Sequence, residues 1–221
     1  MEKQMSTLIC FALKEEAAPF RKIAAGNAAT AQAKILITGI GRQNTEKSVR
    51  EFLTANSPEL VLTCGLAGGL NPDLKHGEVV FELAGPAAND QKLVANLAAA
   101  GAKPVKFFCA DHIATTVAEK KALRDETGAD AVEMESAVIH AICRERGIPC
   151  AIVRVISDTA SEDLPLDFNA LSKSDKNLDY GKLFLAIAKS PGKIGALMQL
   201  QKKTKLAAEK LAEVLAKITF P

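Results

Sequence analysis

Three short segments carry side chains able to do acid–base work. Glu133-Met134-Glu135 follows a short apolar run and leads into a helical pattern that begins at Ser136. Carboxylates two apart on a strand point to the same side. A carboxylate held there could bind sugar hydroxyls. One at a helix N-terminus is also favoured by the helix dipole for purely structural reasons, and the pattern leaves both readings open. Ile156-Ser157-Asp158 closes the most apolar run of the chain. An aspartate at that place can act as a general acid or cap a turn. The third segment, Glu15-Glu16, lies shortly after the first apolar run.

Two glycine segments accompany these carboxylates. Gly39-x-Gly41-x-x-Asn44 lacks the third glycine of a dinucleotide fingerprint and a convincing acidic residue about 20 positions on. Gly65-x-x-Gly68-Gly69 is the other, and no G-x-x-x-x-G-K-[ST] occurs. Either segment could present backbone N–H groups to an anion or a sugar oxygen, or simply form a tight turn that needs positive φ. His76, His112 and His140 show no metal-ligand spacing, and no G-x-S-x-G marks a serine hydrolase. No metal and no cofactor are expected.

The elements that must position these groups alternate. Strands are expected at Thr7 to Ala12, Lys34 to Thr38, Leu60 to Cys64, Gly77 to Leu83, Val105 to Cys109, Ala131 to Met134 and Cys150 to Ile156. Helices are expected at Lys14 to Ala25, Thr45 to Leu53, Gln91 to Ala100, Thr116 to Thr127, Ser136 to Gly147, Leu178 to Lys189 and Ile194 to Ile218. A long loop is expected from Ser161 to Asn177, and Gly65 to Gly69 is read as a turn after the third strand. Alternation of this kind gives an α/β fold with a mostly parallel sheet covered on both faces, here as one domain over residues 1–221. Ligands of such sheets bind at the carboxyl ends of the strands, which is where the carboxylates and glycines fall. Arg154, the one charge in the last strand, needs a partner.

Composition narrows the classes. A net charge of +2 with 24% charged residues gives no concentrated basic face for nucleic acid. The five scattered cysteines form no C-x-x-C pair and read as free thiols of a reducing cytoplasm. The N-terminus is too polar for a signal peptide, and no apolar run approaches the ~18 residues of a spanning helix. The lysine-rich last helix reads as a solvated face with Leu197, Leu211, Leu215 and Ile218 on the core, against the alternative of membrane contact.

Taken in order, Ala12-Leu13-Lys14-Glu15-Glu16, Thr38-Gly39-Ile40-Gly41, Gly65-Leu66-Ala67-Gly68-Gly69-Leu70, Ala131-Val132-Glu133-Met134-Glu135-Ser136 and Val153-Arg154-Val155-Ile156-Ser157-Asp158 resemble the purine nucleoside phosphorylase and nucleosidase superfamily. Gly65 to Pro72, Asp163-Leu164-Pro165 and Ser190-Pro191-Gly192-Lys193 look like its hopanoid-associated phosphorylase branch.

The resemblance implies a nucleoside phosphorylase-like α/β domain with a mixed central sheet, acting as a homodimer. It implies cleavage of the N-glycosidic bond of an adenosine-type nucleoside by water or phosphate, with no cofactor. Asp158 would protonate the purine with support from Ser157, and Glu16 would activate water. Glu135 would bind ribose hydroxyls, with Met134 packed on the sugar. Glu133, Ala67, Gly68 and Ile113 would complete the nucleoside site. Arg42 and Gly41 are the candidates for phosphate. Leu66 stands where many relatives carry a serine that helps bind phosphate, which counts against phosphorolysis. Ile113 and Ala114 fall where relatives have an aromatic residue beside the base. The alternative reading is a non-catalytic nucleoside-binding protein on the same fold.

Overall fold

Nine consecutive buried residues make β8 (Cys150–Asp158), the strand against which the rest of the sheet is laid out. The computed structural model describes residues 3–26, 30, 33–84, 90–170 and 191–218. The elements run β1 (Lys3–Phe11), α1 (Lys14–Ala24), β2 (Ala33–Ile37), α2 (Arg42–Phe52), β3 (Asn56–Gly69), β4 (Val79–Ala84), α3 (Gln91–Ala100), β5 (Lys103–Pro104), β6 (Phe107–Cys109), α4 (Val117–Thr127), β7 (Ala131–Glu133), α5 (Ser136–Glu145), β8 and α6 (Ile194–Leu215). The helix expected at Leu178 to Lys189 lies outside the described residues, as does the end of the expected loop beyond residue 170.

The sheet order is β2-β1-β3-β8-β4-β5, with β7 joining β3 to β6. Five strand pairs are parallel, while β4 runs antiparallel to β8 and β7 antiparallel to β3. The sheet is therefore mixed. Strand alternation divides the core between its faces. Leu8, Cys10 and Val61 pack with Val49, Val138, Ile139 and Ile142 of α2 and α5. Ile9, Phe11 and Leu62 pack with Phe20, Leu93, Leu97, Leu211 and Leu215 of α1, α3 and α6. Leu211, Leu215 and Ile218 are buried as expected of the last helix, whereas Leu197 is only half-buried. Among the described residues no helix is long and apolar enough to cross a membrane.

The segment Gly65–Gly69 departs from its expected turn. It continues β3, paired with β8 through Gly68 opposite Asp158 and with β7 through Gly68 and Gly69 opposite Val132 and Ala131. Its glycines serve close approach rather than chain reversal. A Cβ on Gly65 (φ +146°) would stand 2.6 Å from Arg154 Nη1 and 3.0 Å from Glu16 Oε1. The fifth expected strand, Val105 to Cys109, is shortened to β6, and β5 forms just ahead of it. Between them the Val105 N–H donates to the Phe81 carbonyl and the Phe107 N–H to Glu82 Oε2.

Candidate active site

The carboxyl ends of β1, β3 and β8, with the β7–α5 junction, enclose a cavity of about 240 Å³. Glu16, Ala67, Gly68, Ile113, Glu133, Met134, Glu135, Ser157 and Asp158 all line it. These residues come from points up to 142 positions apart in the chain (158 − 16). Leu13, Ile40, Leu66, Leu164, Phe168 and Leu200 supply much of the apolar wall. Among the described residues no cluster of three or more His, Cys, Asp or Glu could hold a metal ion.

Arg154 organises the carboxylates on one side of the cavity. It is fully buried, and its Nη2 lies 2.7 Å from Glu133 Oε2, 3.2 Å from Glu135 Oε2 and 3.1 Å from Thr63 Oγ1. Its Nη1 donates to the Cys64 carbonyl at 3.3 Å. Burial works against the charge, but Glu133, Glu135 and Glu16 together outweigh it and push the guanidinium further toward its charged form. The three carboxylates are neighbours of one cation, and each is treated differently.

Glu133 lines the cavity and also makes a set of bonds within the protein. Its side chain has no exposure. Oε2 accepts the N–H groups of Glu135 and Ser136 (3.0 and 2.9 Å), and Oε1 accepts the Ser136 hydroxyl (2.5 Å). Glu133 thus caps α5 and anchors Arg154. Burial raises its pKa, but Arg154 and these donors more than reverse that, and it lies below the ordinary value.

Glu135 is the N-cap residue of α5, but its side chain makes no capping bond. It turns instead to the cavity, accepting the Gly41 N–H at 3.3 Å. Burial, reinforced by Glu133 and Glu16 and opposed by Arg154 and the Gly41 N–H, pushes its pKa up to about 7. A carboxyl that binds its proton more tightly in the folded state stabilises the fold below its unfolded pKa and loses that contribution as pH rises through its folded one. Glu135→Gln keeps the shape and removes the titration. Its stability relative to wild type should therefore rise between about pH 4.5 and pH 8 by up to about 3 kcal/mol. Urea melts of both proteins across that range check this, and a constant difference would contradict it.

Glu16 approaches from the start of α1. Oε1 accepts the Leu66 N–H at 3.1 Å, and Oε2 accepts the Leu13 N–H at 3.0 Å. Burial raises its pKa despite Arg154 and these backbone donors. A raised value makes the carboxylate a better base near neutrality.

Asp158 sits across from Gly68, just past a bulge. Ala67 pairs with Ile156 and Gly68 with Asp158, leaving Ser157 as the extra residue of β8. The Ser157 hydroxyl donates to Asp158 Oδ1 at 2.6 Å and lies 3.2 Å from the Ala67 carbonyl. Asp158 Oδ2 lies 2.6 Å from Lys120 Nζ.

The phosphate candidates are not brought into this cavity. Arg42 and Gly41 line a neighbouring cleft of about 300 Å³ with Arg50, Asp111 and Glu145, while the Gly41 N–H is directed to Glu135. Met134 lines both spaces. Sequence reasoning noted Arg154 only as a charge in want of a partner and missed Lys120 altogether. A lone arginine in an otherwise apolar central strand was the available signal for the first. Lys120 shares a helix with Lys121, and nothing in that spacing marks which of the two faces inward.

A model of the phosphorylase superfamily matches residues 86–188. A 5′-methylthioadenosine/S-adenosylhomocysteine nucleosidase of Marinomonas sp. (strain MWYL1) is 30% identical over 171 residues, covering 63% of this chain and 73% of that protein. An aminodeoxyfutalosine nucleosidase of Campylobacter jejuni is 28% identical over 159 residues, covering 59% and 69%. In fold, the chain is similar to the futalosine hydrolase of Helicobacter pylori (TM-score 0.70, 19% identity, 98% and 97% covered). It is also similar to the H. pylori 5′-methylthioadenosine/S-adenosylhomocysteine nucleosidase solved with butyl-thio-DADMe-Immucillin-A (TM-score 0.69, 20% identity, 96% of each chain). With its sheet, its sequence and its relatives in agreement, the chain belongs to the nucleoside phosphorylase superfamily, alongside the nucleosidases that cleave nucleosides.

Proposed function

We propose that the protein hydrolyses the N-glycosidic bond of an adenosine-type nucleoside. The observation that carries this reading is the convergence of Glu16, Glu135 and Asp158 on one cavity, with Met134 among them. The bond breaks through a state in which the sugar becomes cation-like, as in other glycosidic cleavages, and the purine leaves poorly unless protonated. Asp158 gives its proton to N7 as the electron pair of the C1′–N9 bond passes to the base. Glu135 holds the sugar hydroxyls and its oxygens face the developing positive charge. Water then bonds to C1′ and hands its proton to Glu16.

Water is favoured over phosphate by the charges around the cavity. Among the described residues its lining carboxylates are Glu16, Glu133, Glu135 and Asp158, and Arg154 beside them is already paired with Glu133 and Glu135. His112 also lines it and is paired with Asp111 at 2.6 Å. Among the described residues lining the cavity, a phosphate dianion would meet carboxylates with no uncommitted arginine or lysine beside it. The apolar wall suits a nucleoside whose 5′ group is apolar, including bulky ones of the kind the hopanoid-associated resemblance implies. The reading also takes the protein as a cytoplasmic homodimer, which sedimentation of the purified protein tests.

The decisive assay follows adenine release from adenosine and 5′-alkylthioadenosines, with and without phosphate. Equal release in both conditions, with free sugar as the second product, is expected. A sugar 1-phosphate would replace hydrolysis with phosphorolysis. Binding without any release would make the protein a nucleoside-binding member of the family.

A further inference from the structure

Lys120 is the most deeply buried cation among the described residues. Its side chain has no exposure, it does not line the cavity, and it reaches Asp158 from α4. Two of its N–H groups are taken by main-chain carbonyls just beyond the acid, Thr159 at 2.9 Å and Glu162 at 2.7 Å. Its Nζ stands 2.6 Å from Asp158 Oδ2, an oxygen that has no other hydrogen-bond partner among the described residues. The other oxygen is held by Ser157. The carboxyl is therefore gripped on one side by a hydroxyl and on the other by a buried charge.

A buried ammonium is expensive unless a partner and hydrogen bonds compensate it, and an apolar side chain of equal length would pack α4 with no such demand. The cation matters because the group opposite it changes charge during the reaction. We propose that Lys120 is a positioning residue for the acid step. It fixes the Asp158 carboxyl toward the purine, and its charge stabilises the carboxylate that remains once the proton has moved to N7. The contact is strongest after transfer, so it contributes to the transition state more than to the ground state. The ion pair as it stands is the state after the proton has gone. Solvent returns that proton to Asp158 and removes the one collected by Glu16, and the cycle closes.

This inference rests on the reading of Asp158 as the acid, and the test separates the two. Lys120→Met keeps the length of the side chain and removes the charge. It is compared with wild type, Asp158→Asn and the double variant on an adenosine-type nucleoside. A second substrate is p-nitrophenyl β-D-riboside, whose leaving group departs without protonation. For Lys120→Met, kcat on the nucleoside should fall by about 100-fold with little change in KM, while turnover of the riboside stays within about 3-fold. The double variant should match Asp158→Asn, because nothing remains to be positioned.

Wild-type rates for Lys120→Met on the nucleoside would overturn the proposal, as would equal losses on both substrates. A double variant slower than Asp158→Asn by the factor seen for Lys120→Met alone would also overturn it. If Lys120→Met does not fold, the double variant, which carries no charge on either side, decides by the same comparison. Failure of both to fold makes the lysine a structural residue and sinks the proposal. A wild-type protein inactive on every nucleoside would instead strike the underlying function, and the acid step with it.

Discussion

Asp158→Asn should lower kcat for adenine release by about 10²–10⁴-fold, the usual contribution of a positioned general acid, while keeping nucleoside binding and lowering the melting temperature, because buried Lys120 loses its charged partner. The amide has nearly the shape of the carboxyl and can still accept from the Ser157 hydroxyl, but it has no proton to give to N7. The loss should therefore fall on kcat rather than KM. It should shrink for leaving groups that depart without protonation. Steady-state kinetics with melting curves of both proteins check this. Unchanged turnover with intact binding would remove Asp158 from the mechanism.

Arg154→Met should have the largest effect on stability, about 3–5 kcal/mol, because it leaves buried carboxylates without their cation. For a chain of this size that corresponds to a melting temperature lower by roughly 6–20 °C. Glu133 suffers most, since its side chain has no exposure and its ion pair is lost outright. Glu16 and Glu135 lose the interaction that opposes their desolvation. The deficit should be greatest at alkaline pH and ease as the solution is acidified, because protonation removes the uncompensated charges. Arg154→Lys should recover only part of it. One ammonium does not reproduce the fork by which Nη1 reaches the Cys64 carbonyl while Nη2 reaches Thr63, Glu133 and Glu135. Thermal melts of both variants between about pH 5 and pH 8 give the comparison.

Much of this was legible from spacing. Asp158 and Glu135 could be placed at strand ends because apolar runs stop at them, and Glu16 came within reach through its resemblance to the family motif. What spacing could not resolve was the division of labour between Glu133 and Glu135. Two carboxylates two residues apart look equivalent on a strand, but β7 ends at Glu133. One therefore stays inside to serve Arg154 and α5, and the other swings past the end toward the cavity. Gly65 to Gly69 misled for a related reason. A glycine-rich stretch reads as a reversal, but here the missing side chains make room for Arg154, Glu16 and Asp158 beside an unbroken strand. Lys120 was hidden by its neighbour. Lys121 is exposed and pairs with Asp125 on the surface, and only the rotation of α4 in three dimensions separates the two.

The cavity is built from two kinds of material. Of the groups assigned to bond cleavage, Asp158 lies on β8, Glu135 just past the end of β7 and Glu16 in the first turn of α1, each fixed by backbone hydrogen bonding. Leu164 and Phe168, by contrast, come from the segment after β8, and Leu200 and Thr204 from α6. The two are joined by the ion pair of Lys203 with Glu162, which is partly open to solvent. Side chains of that outer wall can be exchanged without disturbing the backbone ladders that hold the inner frame. On this architecture the choice of substrate and the ability to break its bond are separately heritable traits.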